Sequence, residues 1–163
     1  MIILGIDPGY ERFGVAVIQK GDKEKERLLF SDCIQTDKNS DFYDRLNELG
    51  ESLEKIIKQW KPDTLSVENL FLHKNQKTSS RVSEVRGMAI YVATKHKLRI
   101  FEYTPLEVKL TIAGFGKADK KQVEEMVKRT ISLPTKKRLD DEYDAIAVGL
   151  TCLYRISTSY PQK

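Results

Sequence analysis

The stretch Ile2-Ile3-Leu4-Gly5-Ile6-Asp7-Pro8-Gly9 decides how this chain is read. Its apolar run has the composition of a buried strand, and Pro8-Gly9 ends it in a tight turn. The Asp7 carboxylate is thereby delivered to the end of a sheet. A carboxylate there is costly to bury unless a cation pairs with it. Thr64-Leu65-Ser66-Val67-Glu68 repeats the pattern, an apolar run with an acid at its end. Later, Asp141 and Asp144 stand one helical turn apart and so share a helix face.

Outward from that first strand, 14–19 and 27–35 read as two more strands, with Gly21-Asp22 as a turn, so consecutive antiparallel pairing is expected. Asn39-Ser40-Asp41 offers helix caps. Phe42, Leu46, Leu49, Leu53, Ile56 and Trp60 then recur at spacings of three and four, and Lys61-Pro62 stops the helix. A fourth strand leads to Glu68, and Thr78 or Ser79 caps a second helix reaching Lys95. Residues 98–103 read as a fifth strand, and Thr104-Pro105 opens a short helix through Ile112. Gly114-Phe115-Gly116 marks a loop. One helix runs from about Asp119 to Ser132, and the last from about Asp140 to Arg155. Short helical connections to later strands imply parallel crossovers added to an antiparallel meander, in one α/β domain over 1–163.

The 163 residues suit one domain with a real core. No apolar stretch approaches the ~20 residues that span a bilayer. The N-terminal run breaks at Asp7 and lacks a basic start, so it is not a signal peptide, and a cytoplasmic location without membrane association is expected. Cys33 and Cys152 lie far apart in apolar segments, and only His73 and His96 could assist them, which argues against zinc and for two packed thiols. Net charge is +4, from 28 basic and 24 acidic residues. With the four acids above set aside, 28 basic face 20 acidic residues, an excess of +8 that suits a polyanion.

Strands one and four can lie side by side, which would bring Asp7 and Glu68 together. Four unneutralised carboxylates would repel one another and force protonation. Hard divalent cations with oxygen ligands resolve that conflict, and magnesium takes a few carboxylates plus water and phosphate oxygens. Two such ions could activate a water and stabilise a leaving 3′ oxygen in phosphodiester hydrolysis. Each acid also has a plainer reading. Asp7 suits a turn, and Asp140, Asp141, Glu142 and Asp144 suit a helix N-terminus through its dipole. The combination favours a metal site.

Leu4-Gly5-Ile6-Asp7-Pro8-Gly9, Val67-Glu68-Asn69-Leu70-Phe71 and Asp141-x-x-Asp144-Ala145-Ile146-Ala147 together resemble RuvC-type Holliday-junction resolvases. Lys74-Asn75, Arg86-Gly87-Met88-Ala89 and Val108-Lys109-Leu110-Thr111 extend the resemblance. So does Gly114-x-Gly116 followed by Ala118-Asp119-Lys120 and Gln122-Val123. It runs from residue 2 to about residue 150. The first motif is shared with other ribonuclease-H-like proteins, whereas the middle segments are specific.

The resemblance implies a ribonuclease-H-like mixed five-stranded sheet flanked by helices and a homodimer. It also implies magnesium-dependent, symmetric paired nicks in four-way DNA junctions during recombination and repair. Two Mg2+ ions per site are expected, with Mn2+ as a substitute. By position, Asp7, Glu68, Asp141 and Asp144 would be the metal-binding catalytic acids, and Lys109 and Lys120 the basic residues near the scissile phosphate. Phe71 would engage a base or pack near the junction centre, and a branch-migration motor would be a partner. Asp140, next to Asp141, and Lys117 and Lys121, next to Lys120, are the alternatives by register.

Three basic groups adjoin loops near these acids: Lys74, Lys77, Arg81 and Arg86; Lys117, Lys120 and Lys121; and Lys136, Lys137 and Arg138. They are expected to meet the phosphate backbone, together with Asn75. The helix through Val82, Val85, Gly87, Met88, Ala89, Ile90 and Val92 has apolar residues on more than one face, which fits sheet packing plus a two-fold dimer contact. The competing readings are another ribonuclease-H-like nuclease acting on RNA or single strands, and a non-catalytic junction-binding module.

Overall fold

The alternation of the first strand sorts the whole molecule into two layers. Successive side chains of a strand point to opposite faces. Leu4 and Ile6 therefore enter one buried cluster while Ile3 enters the other. The structure, a computed structural model, describes residues 1–21, 26–69 and 76–159, apart from the side chains of 76–78 and 157–159.

The elements follow as β1 (Ile2–Asp7), β2 (Arg12–Gln19), β3 (Arg27–Gln35), α1 (Phe42–Trp60), β4 (Thr64–Glu68), α2 (Gln76–Lys95), β5 (Arg99–Tyr103), α3 (Pro105–Ala113), α4 (Lys120–Thr130) and α5 (Asp140–Ser159). The sheet order is β3-β2-β1-β4-β5. β1, β2 and β3 pair antiparallel, and β4 and β5 add in parallel, which is the expected meander plus crossovers. One face carries α1 and α2 over Leu4, Ile6, Phe13, Val15, Val17, Leu65 and Val67. The other carries α3, α4 and α5 over Ile3, Ala16 and Ile18. Each fully buried Ile or Leu contributes ~1.5–3 kcal/mol of transfer free energy, so either face alone outweighs any single surface contact.

Helix ends obey local chemistry. Asp41 caps α1 by accepting from Tyr43 N–H, and Lys61 closes it in the left-handed region. Thr104 with Glu107 and Asp119 with Gln122 form capping boxes at the starts of α3 and α4. The second of these fixes Lys120 as the first residue of α4.

Several boundaries differ from the sequence expectation. β2 begins at Arg12, two residues before Gly14, because it keeps pairing with β3 as far as Gln35. β5 begins at Arg99 because Lys97, at φ 62°, ends α2, and the Leu98 N–H bonds the Ala93 carbonyl across the helix end. α2 starts at Gln76 rather than Thr78 or Ser79, and α5 continues past Arg155 to Ser159. α4 stops at Thr130, where Ile131 turns extended and buried, and Ser132 bridges to Arg27. Cys33 and Cys152 are buried and free, as expected.

Candidate active site

Strand parity puts two acids on one side of the sheet. Asp7 follows Ile3 and Gly5 on the α5 face of β1. Glu68 follows Ser66, whose hydroxyl donates to the Val148 carbonyl of α5 at 2.8 Å. The parallel register Ile6↔Val67 then sets Asp7 and Glu68 side by side at the strand ends. α5 reaches them because the sheet leaves it room. A Cβ at Gly5 would overlap the Ala145 carbonyl oxygen and come within 2.8 Å of Gly149 N, and one at Gly14 would overlap the Asp141 carbonyl oxygen. With both side chains absent, the first turns of α5 lie on β1 and β2 and carry Asp141 and Asp144 to the same end.

The result is a cleft of about 310 Å³ lined by Asp7, Glu68, Lys109, Lys120 and Asp144, with Pro105, Val108, Val123, Ala147 and Val148 as its apolar walls. Asp7, Glu68, Asp144, Lys109 and Lys120 thus meet as the sequence suggested. Burial, followed by the charges of Asp144, Glu68 and Asp141, pushes the Asp7 carboxyl up from 3.8 to about 8, against the pull of Lys120. Burial and then Asp144 raise Glu68 from 4.5 to about 7, with Lys120 and Lys109 opposing. Lys120 Nζ stands 2.9 Å from Asp144 Oδ2 and 3.8 Å from Asp140 Oδ2, and its hydrogen bond to Asp144 holds its own pKa above the usual lysine range.

Asp141 is engaged differently. It does not line the cleft; the Arg12 guanidinium pairs with both Asp140 and Asp141. Burial raises the Asp141 pKa; at Asp140 burial also pushes upward, but the Arg12 hydrogen bond, a backbone hydrogen bond and the charges of Arg12 and Lys120 together lower it. Sequence reasoning missed Arg12. The signal was in the pairing: Asp7 faces Gly14, so the residue two positions before Gly14 sits beyond the same sheet end.

The other basic residues divide. Lys117 and Lys121 are exposed beside the cleft loop. Arg81 pairs with Glu84 at 3.0 Å and lies over the Phe42 ring at 3.8 Å, and Arg86 pairs with Glu102. Both are engaged within the protein rather than presented as free cations. Lys136 and Arg138, expected at phosphate, turn instead to the buried Glu142, at 2.8 and 3.8 Å. Arg138 is itself buried and also donates to Ser31 Oγ and the Pro134 carbonyl. That pair anchors the segment before α5, and Lys137 stays exposed. Phe71, Lys74 and Asn75 lie outside the described residues, as does the side chain of Lys77.

Among the described residues, no three carboxylate, imidazole or thiol groups stand close enough to hold a metal ion as arranged. The donor chemistry does fit a hard divalent cation. The cleft offers carboxylate oxygens without thiol or imidazole, and two of them are held partly protonated by burial and mutual repulsion. A bound cation relieves both causes at once.

Known proteins resemble this chain in sequence and fold. The family model described as crossover junction endodeoxyribonuclease RuvC matches residues 3–152. A crossover junction endodeoxyribonuclease RuvC from Ruminiclostridium cellulolyticum is 44% identical over 150 residues, covering 92% of this chain and 90% of the relative. One from Thermosipho melanesiensis is 40% identical, covering 91% and 94%. Among solved structures, T. thermophilus RuvC in complex with Holliday junction substrate superposes with a TM-score of 0.90 at 25% identity, covering 98% of this chain and 96% of that one. The yeast mitochondrial resolvase Ydc2 superposes at 0.70 with 16% identity, covering 97% and 80%, which speaks to the fold. The sheet and its helices are thus of the ribonuclease-H-like kind expected from the sequence.

Proposed function

Since this chain belongs to the RuvC family of crossover junction endodeoxyribonucleases, we propose that it resolves four-way DNA junctions by magnesium-dependent hydrolysis at the Asp7–Glu68 cleft. The observation carrying this assignment is the pair of half-buried acids, Asp7 and Glu68, sharing one cleft with Asp144, Lys109 and Lys120. Asp7, Glu68, Asp144 and Asp141 would hold one or two Mg2+ ions, with Mn2+ able to substitute. When bound, such ions supply an activated water and charge stabilisation at the leaving oxygen.

The chain's own residues do the rest. Asp7 and Glu68 sit on strand ends, so their positions are rigid, and they must shed their protons as a cation binds. Lys109 and Lys120 enter from α3 and the first turn of α4 and offset the negative charge that builds on the phosphate. Val108, Val123, Ala147 and Val148 exclude water from one wall of the cleft, which strengthens each charge interaction inside it. Water adds to phosphorus, the P–O3′ bond breaks, and the 3′ oxygen takes up a proton.

We further propose a single nuclease domain that acts in the cytoplasm as a homodimer and works with a branch-migration motor. Among the described residues no helix is long and apolar enough to cross a membrane. α2 presents Tyr91, 68% exposed, on its outer face, where a second copy would cover it. A dimer would place one cleft at each of two equivalent strands.

The test is incubation with end-labelled fixed four-way junctions, linear duplex and RNA–DNA hybrid, with and without magnesium. Symmetric paired nicks on the junction alone are expected. Cleavage of hybrid in preference to junction, or junction binding without any nicking, would overturn the assignment.

A further inference from the structure

One cation at the acidic end of the sheet has no part in the mechanism above. Arg12 opens β2, and its guanidinium spans two consecutive carboxylates, Asp140 and Asp141. Gly14 brings α5 down onto β2 at Asp141, and Cys33 Sγ closes on Asp141 Oδ2 from β3 at 3.8 Å. Asp141 is therefore confined between Arg12 and β3, while Asp7, Glu68 and Asp144 face the cleft.

We propose that Arg12 is a positioning residue that withholds Asp141 from the metal position until a divalent cation draws the carboxylate away. This rests on the reading of the cleft as a divalent-cation site. Two features distinguish the contact from a permanent structural clamp. The Arg12 Nε–H is buried without an acceptor, so the guanidinium is not fully satisfied where it stands. Asp140, 54% exposed against 17% for Asp141, remains as a second partner when Asp141 leaves. Arg12 thus exchanges a shared pair for a single one without losing its charge compensation, and the release is cheap. Before the cation arrives, the same contact spares the cleft a fourth negative charge.

The experiment is titration of the DNA-free full chain with Mn2+, followed by calorimetry and by the loss of the free-ion electron paramagnetic resonance signal. Wild type is compared with Arg12→Met, which keeps an apolar stem, with Arg12→Gln as a second variant and Asp7→Asn as the control for the site. Arg12 replacement removes its pairs to both Asp140 and Asp141, and loss of the partly exposed pair that holds Asp141 should tighten Mn2+ binding up to about fivefold in both variants. A distorted site would weaken binding, so the sign separates withholding from structural damage. Unchanged or weaker binding in both variants would overturn the proposal while leaving the cleft assignment intact. Asp7→Asn binding Mn2+ as tightly as wild type would overturn the cleft assignment, and the role of Arg12 with it.

Discussion

Asp7→Asn should make the metal-free protein more stable while abolishing nicking. The Asp7 carboxyl is raised from 3.8 to about 8 in the folded state, burial being the largest cause. A raised carboxylate binds its proton more tightly folded than unfolded, so folding stability falls as pH climbs from the unfolded value through the folded one. At ~1.4 kcal/mol per pH unit, that span corresponds to a ceiling of about 6 kcal/mol at alkaline pH. Asp7 shares the repulsion with Glu68, Asp144 and Asp141, and Lys120 already offsets part of it, so a neutral isostere recovers only a fraction. We expect about 2 kcal/mol, or a rise of ~4–8 °C in Tm for a chain of this size, at pH 8 in EDTA. The difference should shrink towards zero by about pH 4, where both side chains are neutral. Thermal unfolding by circular dichroism across pH 4–9 measures it, and filter binding of a fixed junction checks that substrate affinity is retained. A variant less stable than wild type at pH 8, or a gap that ignores pH, would refute the electrostatic account of the site.

Three further outcomes follow from the same geometry. At limiting magnesium, nicking should rise steeply between about pH 6 and pH 8, as Glu68 and Asp7 lose their protons, and flatten at saturating magnesium; parallel pH profiles at both concentrations would contradict this. Gly5→Ala should lose about 2–3 kcal/mol in chemical denaturation and most of the activity, because its methyl would overlap the Ala145 carbonyl and lift α5 from β1. Glu142→Gln should cost about 3 kcal/mol, because it leaves the buried Arg138 side chain without its carboxylate, and nicking per folded molecule should survive; selective loss of cleavage would place this cluster in the chemistry instead.

Much of the site was legible because its acids sit at the ends of periodic elements. Period two along Ile2–Ile6 and Thr64–Val67 fixes the faces of Asp7 and Glu68, and a single helical turn fixes Asp144 relative to Asp141. Resemblance singled out Lys109 and Lys120, and the cleft holds both. What stayed hidden depends on contacts between elements. Lys136 and Arg138 look like solvated cations in sequence, yet the buried Glu142, one turn away, claims them. Arg81 and Arg86 are likewise taken by Glu84 and Glu102. Only the pairing of β1 with β2 reveals that Arg12 stands beside Asp141. Charge type is written in the sequence, whereas charge partnership is a property of the packed layers.

That distinction explains how a fold tolerates so many acids at one sheet end. The excess is met in three ways: protonation shared by Asp7 and Glu68, the Lys120 contact to Asp144, and the Arg12 contact to Asp140 and Asp141. None of these is a deep, fully satisfied ion pair. Lys120 is 72% exposed, Arg12 is 42% exposed with an unpartnered Nε, and a proton leaves as pH rises. Stronger internal pairing would make the resting protein more stable but would compete with any incoming cation for the same oxygens. Weak, replaceable compensation therefore keeps the acids together while leaving their oxygens available, and the stability surrendered at Asp7 and Glu68 is what a bound cation would restore.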